Sequence, residues 1–315
     1  MAFRIIKLTP NFARMMSTSA TKVGFIGLGQ MGNRMATNLI NKGYKLNVFD
    51  VSPEACDAMK AKGAQVYKTT QELAKESEFV VTMLPNNDIV KETYEVMIKD
   101  GVNNKTMFVD SSTVDPSVSQ YVQKIVSKAG ARFVDAPVSG GVMGAQNATL
   151  TFMVGGTKEE YEHVKDFLAG MGKKITHCGT YGMGEAAKIC NNMMLAISMI
   201  GTAETMNLAL RLGLDAKVFN EIINSSTGRS WASEINNPVP GLNPGTPPSD
   251  GYKGGFSTAL ITKDLGLASS VATGSNSPIM LGALAHHIYR LMCTHDLGNK
   301  DFSVIYDFIK NKSGK

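Results

Sequence analysis

Lys188 and Asn192 stand four residues apart in the stretch GMGEAAKICNN (182–192), at the head of a long, nearly uncharged run. On an α-helix that interval puts both side chains on one face, one turn apart. Burying an unpaired ammonium is costly, so a lysine in such surroundings either snorkels to the surface or has chemical work there. A lysine made less basic by burial can take the proton from an alcohol. An amide one turn on can orient that amine or the alcohol itself. Gly182 and Gly184, at the start of the run, allow another backbone or a ligand to come close.

A second constellation lies near the beginning. Lys22 to Ile26 (KVGFI) reads as a buried strand. Gly27-Leu28-Gly29-Gln30-Met31-Gly32 follows at once, then a helical pattern through Asn41, a stop at Gly43 and a strand from Lys45 to Phe49 closed by Asp50. With a strand before it, a helix after it and an acid at the proper distance, this is a dinucleotide-binding fingerprint. Gly27 permits the tight turn, Gly29 lets a pyrophosphate approach the backbone, and Gly32 lets helix and strand pack closely. Asp50 accepts hydrogen bonds from ribose hydroxyls and repels a 2′-phosphate. Val51-Ser52-Pro53 offers no arginine for such a phosphate, so NAD is expected rather than NADP.

Further strand–helix units place other candidates. Strands are expected at Phe79–Leu84, Thr106–Val109, Arg132–Ala136 and Thr149–Val154. Ligands of an open parallel sheet bind beyond the carboxyl ends of its strands, where Leu84-Pro85, Thr113 and Ser139-Gly140-Gly141 fall. Ser111 and Ser112 read as ordinary turn residues. Ser139-Gly140-Gly141 reads as a turn with a hydroxyl beside two unshielded N–H groups, a good carboxylate receptor. After a helix at about 158–168, the pattern becomes wholly helical from 185. One run extends to Leu212 and stops at Gly213, and helices follow at about 216–224, 259–272, 278–294 and 302–310. Between them, 238–255 is a loop rich in Pro and Gly. Trp231, before that loop, reads by default as core, and Lys263-Asp264 as a surface ion pair.

The chain is therefore expected to be α/β: a doubly wound Rossmann-type domain (21–182), then an all-helical domain (183–315) joined to it by the long helix. Its 315 residues suffice for two cores. Arg4, Lys7 and Arg14 lie among hydroxyl and apolar residues with no acid before Asp50, so residues 1–20 resemble a mitochondrial presequence and predict a matrix protein. Removing those three charges from the net +5 leaves +2, too little for a nucleic-acid surface. No uninterrupted apolar run reaches the ~18 residues of a membrane span. Cys56, Cys178, Cys190 and Cys293 form no CxxC pair, which points to scattered reduced thiols. No metal constellation is expected. The apolar helical half suggests a homodimer or homotetramer.

Together these segments resemble the β-hydroxyacid dehydrogenase family across 22–309. The carriers are GFIGLGQMG (24–32), Asp50, TMLP (82–85), DSST (110–113), DAPVSGG (135–141), LTFMVGG (150–156), the run 182–204, NPVPG (237–241) and KDLGLA (263–268). The resemblance implies a catalytic Lys188 with Asn192 as its partner, and a substrate carboxylate held by Ser139, Gly140 and Gly141. It also implies that Leu84, Pro85, Thr113 and Lys263 touch the dinucleotide and that Trp231 borders the pocket. The implied reaction is NAD-dependent oxidation of 3-hydroxyisobutyrate. Reduction of tartronate, glyoxylate or succinic semialdehyde is the alternative within the family, and a silent nucleotide-binding module the alternative outside it. One departure is visible: members carry a tyrosine immediately before NPVPG, where this chain has Asn236.

Overall fold

The computed structural model describes residues 21–312; the expected presequence lies outside them. The first half alternates strand and helix. β1 (Lys22–Ile26), β2 (Lys45–Phe49) and β3 (Gln65–Val66) are linked by α1 (Gly32–Asn41) and α2 (Pro53–Lys60). Then come α3 (Thr70–Lys75), β4 (Phe79–Thr82), α4 (Asn87–Ile98), β5 (Met107–Asp110), α5 (Pro116–Lys128) and β6 (Arg132–Asp135). The helices start where side chains cap them. Ser52 and Asp115 accept from the first turn ahead of Pro53 and Pro116, which suit that position because proline lacks the N–H that would otherwise need a partner.

These strands form a parallel sheet in the order β3-β2-β1-β4-β5-β6. Their side chains alternate between two cores, as a pleat requires. Val81, Val109 and Val134 face one with Met35 and Leu39, whereas Val80, Phe108 and Phe133 face the other with Tyr94 and Val122. Beyond β6 the sheet departs from a purely parallel design. β7 (Val138–Ser139) and β8 (Leu150–Gly155) run antiparallel, and β6 and β7 pair successive parts of β8 in one register. Between β7 and β8 lies α6 (Gly141–Gln146). After α7 (Lys158–Leu168), whose Thr157 and Glu160 make a reciprocal capping box, β9 (Gly172–Gly179) adds parallel to β8.

The expected turn at Ser139-Gly140-Gly141 is thus the end of a short strand and the start of a helix. The strand expected at Phe79–Leu84 ends at Thr82. Neither β3 nor β9 was expected. β9 has a mixed, half-exposed face and lacks the buried run that marks its neighbours.

α8 (Met183–Arg211) is 29 residues long, or about 40 Å at 1.5 Å per residue. By length and composition alone it could cross a membrane. Here its buried stripe packs on β8 at one end and on the helical core at the other. That core draws on α8 with α10 (Trp231–Glu234), α11 (Thr258–Gly274), α12 (Met280–Cys293) and α13 (Ile305–Lys312), and α9 (Ala216–Ser225) packs outside. The single helix expected at 302–310 is a 3-10 turn at Phe302–Val304 running into α13.

Candidate active site

The glycine loop sits between β1 and α1. Gly27 has φ +93, and a Cβ there would collide with the carbonyl of Met83; a Cβ on Gly32 would collide with the carbonyl of Gly27. Gly29 differs, since nothing lies within 4 Å of where its Cβ would be. The first two glycines are needed for the turn and the third leaves an open face. No side chain caps α1, whose N-terminus begins at Gln30-Met31-Gly32. An open backbone face on an uncapped helix start is suited to a pyrophosphate. Asp50 ends β2 beside this loop, accepting the Leu28 N–H at 2.5 Å and the Ser52 N–H at 2.8 Å. It therefore shapes the loop as well as standing at its rim.

Across the sheet the ends of β4 and β5 are tied together. Ser112 Oγ donates to Asp110 Oδ1 at 2.6 Å and accepts the Leu84 N–H at 2.9 Å. Lys263, from α11, donates to the Thr113 carbonyl at 2.8 Å and the Pro85 carbonyl at 3.4 Å. Leu84, Pro85, Thr113 and Lys263 thus form one cluster. Ser112, which read as an ordinary turn residue, is its brace.

Lys188 and Asn192 are both buried, and Lys188 Nζ donates to Asn192 Oδ1 at 3.2 Å. The other end of that amide donates to Asp264 Oδ2 at 2.6 Å, and Asp264 Oδ1 lies 3.3 Å from Lys263 Nζ. Asp264 is only 3% exposed while the Lys263 side chain is 29% exposed, so the expected surface ion pair joins a buried carboxylate to a partly exposed amine. Burial lowers the Lys188 pKa below the ordinary lysine value; Asp264 and Glu185 oppose that shift, and the Lys263 cation adds to it. An amine so placed is held in one position and gives up its proton more readily than a solvated lysine.

The first turn of α8 sets its position. A Cβ on Gly184 would strike the Met153 carbonyl and the Asp135 carboxylate, so glycine lets the helix press against β8. Asp135 accepts the N–H of Gly182 at 2.7 Å and of Glu185 at 3.1 Å, filling the helix's unsatisfied donors. Burial raises its pKa to about 6 against those hydrogen bonds.

Ser139 pairs with Thr151 on β8. Gly140 and Gly141 follow at φ +133 and +61. They stand outside the hydrogen-bonded chain around Lys188, as does Trp231, whose 51% exposure removes it from the core. Asn236 is buried and donates to Asp301 at 3.4 Å, so the departure before 237–241 falls on an interior joint of the helical half.

From sequence, Asp264 reads only as half of a surface ion pair, and Glu185, Asp110 and Asp135 carry no site role. For Asp264 a signal existed: it shares the helical face of Ile261, Leu265, Ala268 and Ala272, where a carboxylate needs a partner.

Two family profiles match. Residues 22–179 fit the NAD binding domain of 6-phosphogluconate dehydrogenase, and residues 182–309 fit the NAD-binding domain of NADP-dependent 3-hydroxyisobutyrate dehydrogenase. The mitochondrial 3-hydroxyisobutyrate dehydrogenase of Drosophila melanogaster is 65% identical over 95% of this chain and 93% of its own length. The Homo sapiens enzyme of that name is 50% identical, over 93% and 88%. Among solved structures, Mycobacterium tuberculosis 3-hydroxyisobutyrate dehydrogenase with L-serine superposes with a TM-score of 0.88 at 39% identity, covering 92% of this chain and 99% of that one. With both halves matched and the Rossmann and helical parts in the same order, the chain belongs to the 3-hydroxyisobutyrate dehydrogenase family of NAD-binding oxidoreductases.

Proposed function

We propose that this chain oxidises 3-hydroxyisobutyrate to methylmalonate semialdehyde, a step of valine breakdown, with NAD as hydride acceptor and Lys188 as general base. The observation that carries this reading is the buried line Lys188–Asn192–Asp264, which holds an amine of lowered basicity in one place. Bound NAD supplies the electrophilic carbon that takes hydride from the alcohol carbon. Lys188 accepts the hydroxyl proton in oxidation and returns it in reduction. Asn192, fixed by Asp264, keeps the amine aimed.

Ser139 and the N–H groups of Gly140 and Gly141 receive the substrate carboxylate, and Trp231 borders the pocket. Leu84, Pro85, Thr113 and Lys263 line the dinucleotide side. The loop of Gly27, Leu28, Gly29, Gln30, Met31 and Gly32 holds the pyrophosphate. Asp50 has one N–H on each oxygen, which leaves lone pairs for two ribose hydroxyls; its charge favours NAD over NADP.

Residues 21–182 make the NAD-binding domain and 183–315 the substrate and oligomerisation domain. The relatives named mitochondrial support a mitochondrial protein. We place it in the matrix, with 1–20 removed as a presequence; sequencing the mature N-terminus tests that. No membrane or nucleic-acid partner belongs to this reading. Met194, Leu208, Met280, Leu281 and Leu284 are more than half exposed on α8 and α12, which supports a homodimer or homotetramer, checked by sedimentation.

Lys188→Ala tests the function. It is expected to keep NAD binding by titration and to lose about 10²- to 10⁴-fold in turnover, the usual worth of a general base. Turnover at the wild-type rate would overturn the assignment.

A further inference from the structure

The carboxyl end of β5 carries a buried acid, Asp110, that the mechanism above does not use and whose hydrogen bonds converge on one oxygen. Asp110 Oδ1 accepts from the Thr82 hydroxyl at 2.8 Å, the Ser112 hydroxyl at 2.6 Å and the Ser112 N–H at 3.1 Å. Thr82, Asp110 and Ser112 are all without exposure. Thr82 and Asp110 face each other in the last rung of the β4–β5 ladder. Thr82 Oγ1 also meets the Tyr94 hydroxyl at 2.9 Å. Tyr94 comes from α4, its buried ring set edge-on against Phe108 and Phe133. The line therefore runs from a helix packed on the sheet to the sheet's rim.

Each hydroxyl has a single proton, and that fixes the direction of the line. Thr82 gives its proton to Asp110, so Tyr94 is the donor to Thr82. Ser112 gives its own to Asp110 as well and keeps only lone pairs, one of which takes the Leu84 N–H at 2.9 Å. That N–H lies two residues beyond the end of β4, past the ladder, and a backbone donor shut away from water needs a partner. Asp110 Oδ2 has no partner, so the line depends on an acceptor at Oδ1 alone. Pro85 and Thr113 directly follow Leu84 and Ser112, and their carbonyls are the two that Lys263 takes from α11. The next residue of α11, Asp264, accepts from Asn192, which in turn accepts from Lys188. The backbone braced from Asp110 is thus joined, through two adjacent residues of one helix, to the amide beside the base.

We propose that Asp110 is a positioning residue for the dinucleotide side of the site: it turns the Ser112 hydroxyl so that Ser112 pins the Leu84 N–H, and so sets the backbone at Leu84–Pro85 and Thr113 that Lys263 grips. Asp110 is fully buried and acts through Ser112. This goes beyond the proposed function but rests on its reading that Leu84, Pro85, Thr113 and Lys263 face NAD.

Steady-state kinetics of the purified full chain with NAD and 3-hydroxyisobutyrate compare wild type with Ser112→Ala, Asp110→Leu and Asp110→Asn. Thr106→Val is the control: Thr106 stands at the opposite end of β5, is fully buried and donates to the Ser77 carbonyl at 3.0 Å, so its variant also loses a buried hydroxyl. Ser112→Ala and Asp110→Leu are expected to raise KM for NAD about tenfold, the usual cost of a buried donor left without a partner, and to leave KM for 3-hydroxyisobutyrate unmoved. Asp110→Asn keeps an oxygen for the three donors and is expected to restore most of the loss. Thr106→Val is expected to lower the melting temperature and keep the wild-type KM for NAD. A wild-type KM for NAD in Ser112→Ala, or an Asp110→Asn as impaired as Asp110→Leu, overturns the proposal. If Asp110→Leu does not fold, hydrogen exchange at the Leu84 amide decides: slow exchange in wild type and fast exchange in Ser112→Ala support the brace, and equal rates refute it. Adding NAD to wild type separates the proposal from the reading beneath it. Exchange across 82–86 that NAD leaves unchanged takes this cluster away from the dinucleotide, and both fall. Protection there, with an unmoved KM in Ser112→Ala, overturns the positioning role alone.

Discussion

Replacing Asp264 with asparagine separates the charge behind Lys188 from the hydrogen bond that orients it. An amide at 264 still accepts from Asn192, so the line Lys188–Asn192–264 keeps its geometry while losing a negative charge. The two hydrogen bonds of 3.2 and 2.6 Å, with one amide between them, separate Nζ from the carboxylate by roughly 7 Å. At an effective dielectric of ~20, unit charges at that spacing interact by ~2 kcal/mol, equivalent to about 1.5 pH units. Asp264 is also the foremost of the groups that raise the Lys188 pKa, and Lys263 lowers it. Removing the anion and releasing Lys263 from its ion pair therefore act in one direction, toward a less basic Lys188. Oxidation needs the neutral amine, so its rate rises as pH passes upward through the Lys188 pKa, and a lower pKa moves that rise to lower pH. The acidic midpoint of kcat/KM for 3-hydroxyisobutyrate oxidation is expected to fall by about 1 to 1.5 units. Initial rates of NADH formation between pH 5 and 10 measure it. An unmoved midpoint, or one displaced upward, would show that the titrating group is not an amine held by this carboxylate.

Two further outcomes follow from the local geometry. Gly29→Ala is expected to leave the melting temperature near that of the wild type while weakening NAD, because the new methyl enters open space where a pyrophosphate belongs. Gly32→Ala collides with the Gly27 carbonyl and is expected to lower the melting temperature by several degrees, a change of about 1 kcal/mol or more; calorimetry and NAD titration on both variants check the contrast. For Asp135, the folded group holds its proton to about pH 6, whereas an unfolded aspartate releases it near 4. Its contribution is thus present at low pH and is lost as pH rises from about 4 through 6, by on the order of 3 kcal/mol. Urea midpoints of wild type and Asp135→Asn at pH 4.5 and 7 should show wild type losing ground to the variant on going to the higher pH; a constant gap would refute the linkage.

The amino-acid order alone determined the parts whose logic is local. The turn at Gly27–Gly32 with Asp50 behind it follows from spacing within some thirty residues. So do the βα alternation, the extent of the long helix, and the alignment of Lys188 with Asn192. The sequence left β9 and the strand at Val138–Ser139 unresolved, because short, half-exposed strands carry little periodic signal. Only the tertiary structure decided which distant groups meet. Asn192 finds Asp264 across 72 residues, Lys263 reaches Thr113 across 150, and Asp135 caps a helix that begins 47 residues later. It likewise moved Trp231 out of the core and Asp264 into it. Each of these pairings is enforced by burial, because a polar group shut away from water must be answered by whatever the fold brings beside it. The proton balance around Lys188 therefore belongs to the packed sheet and helices together.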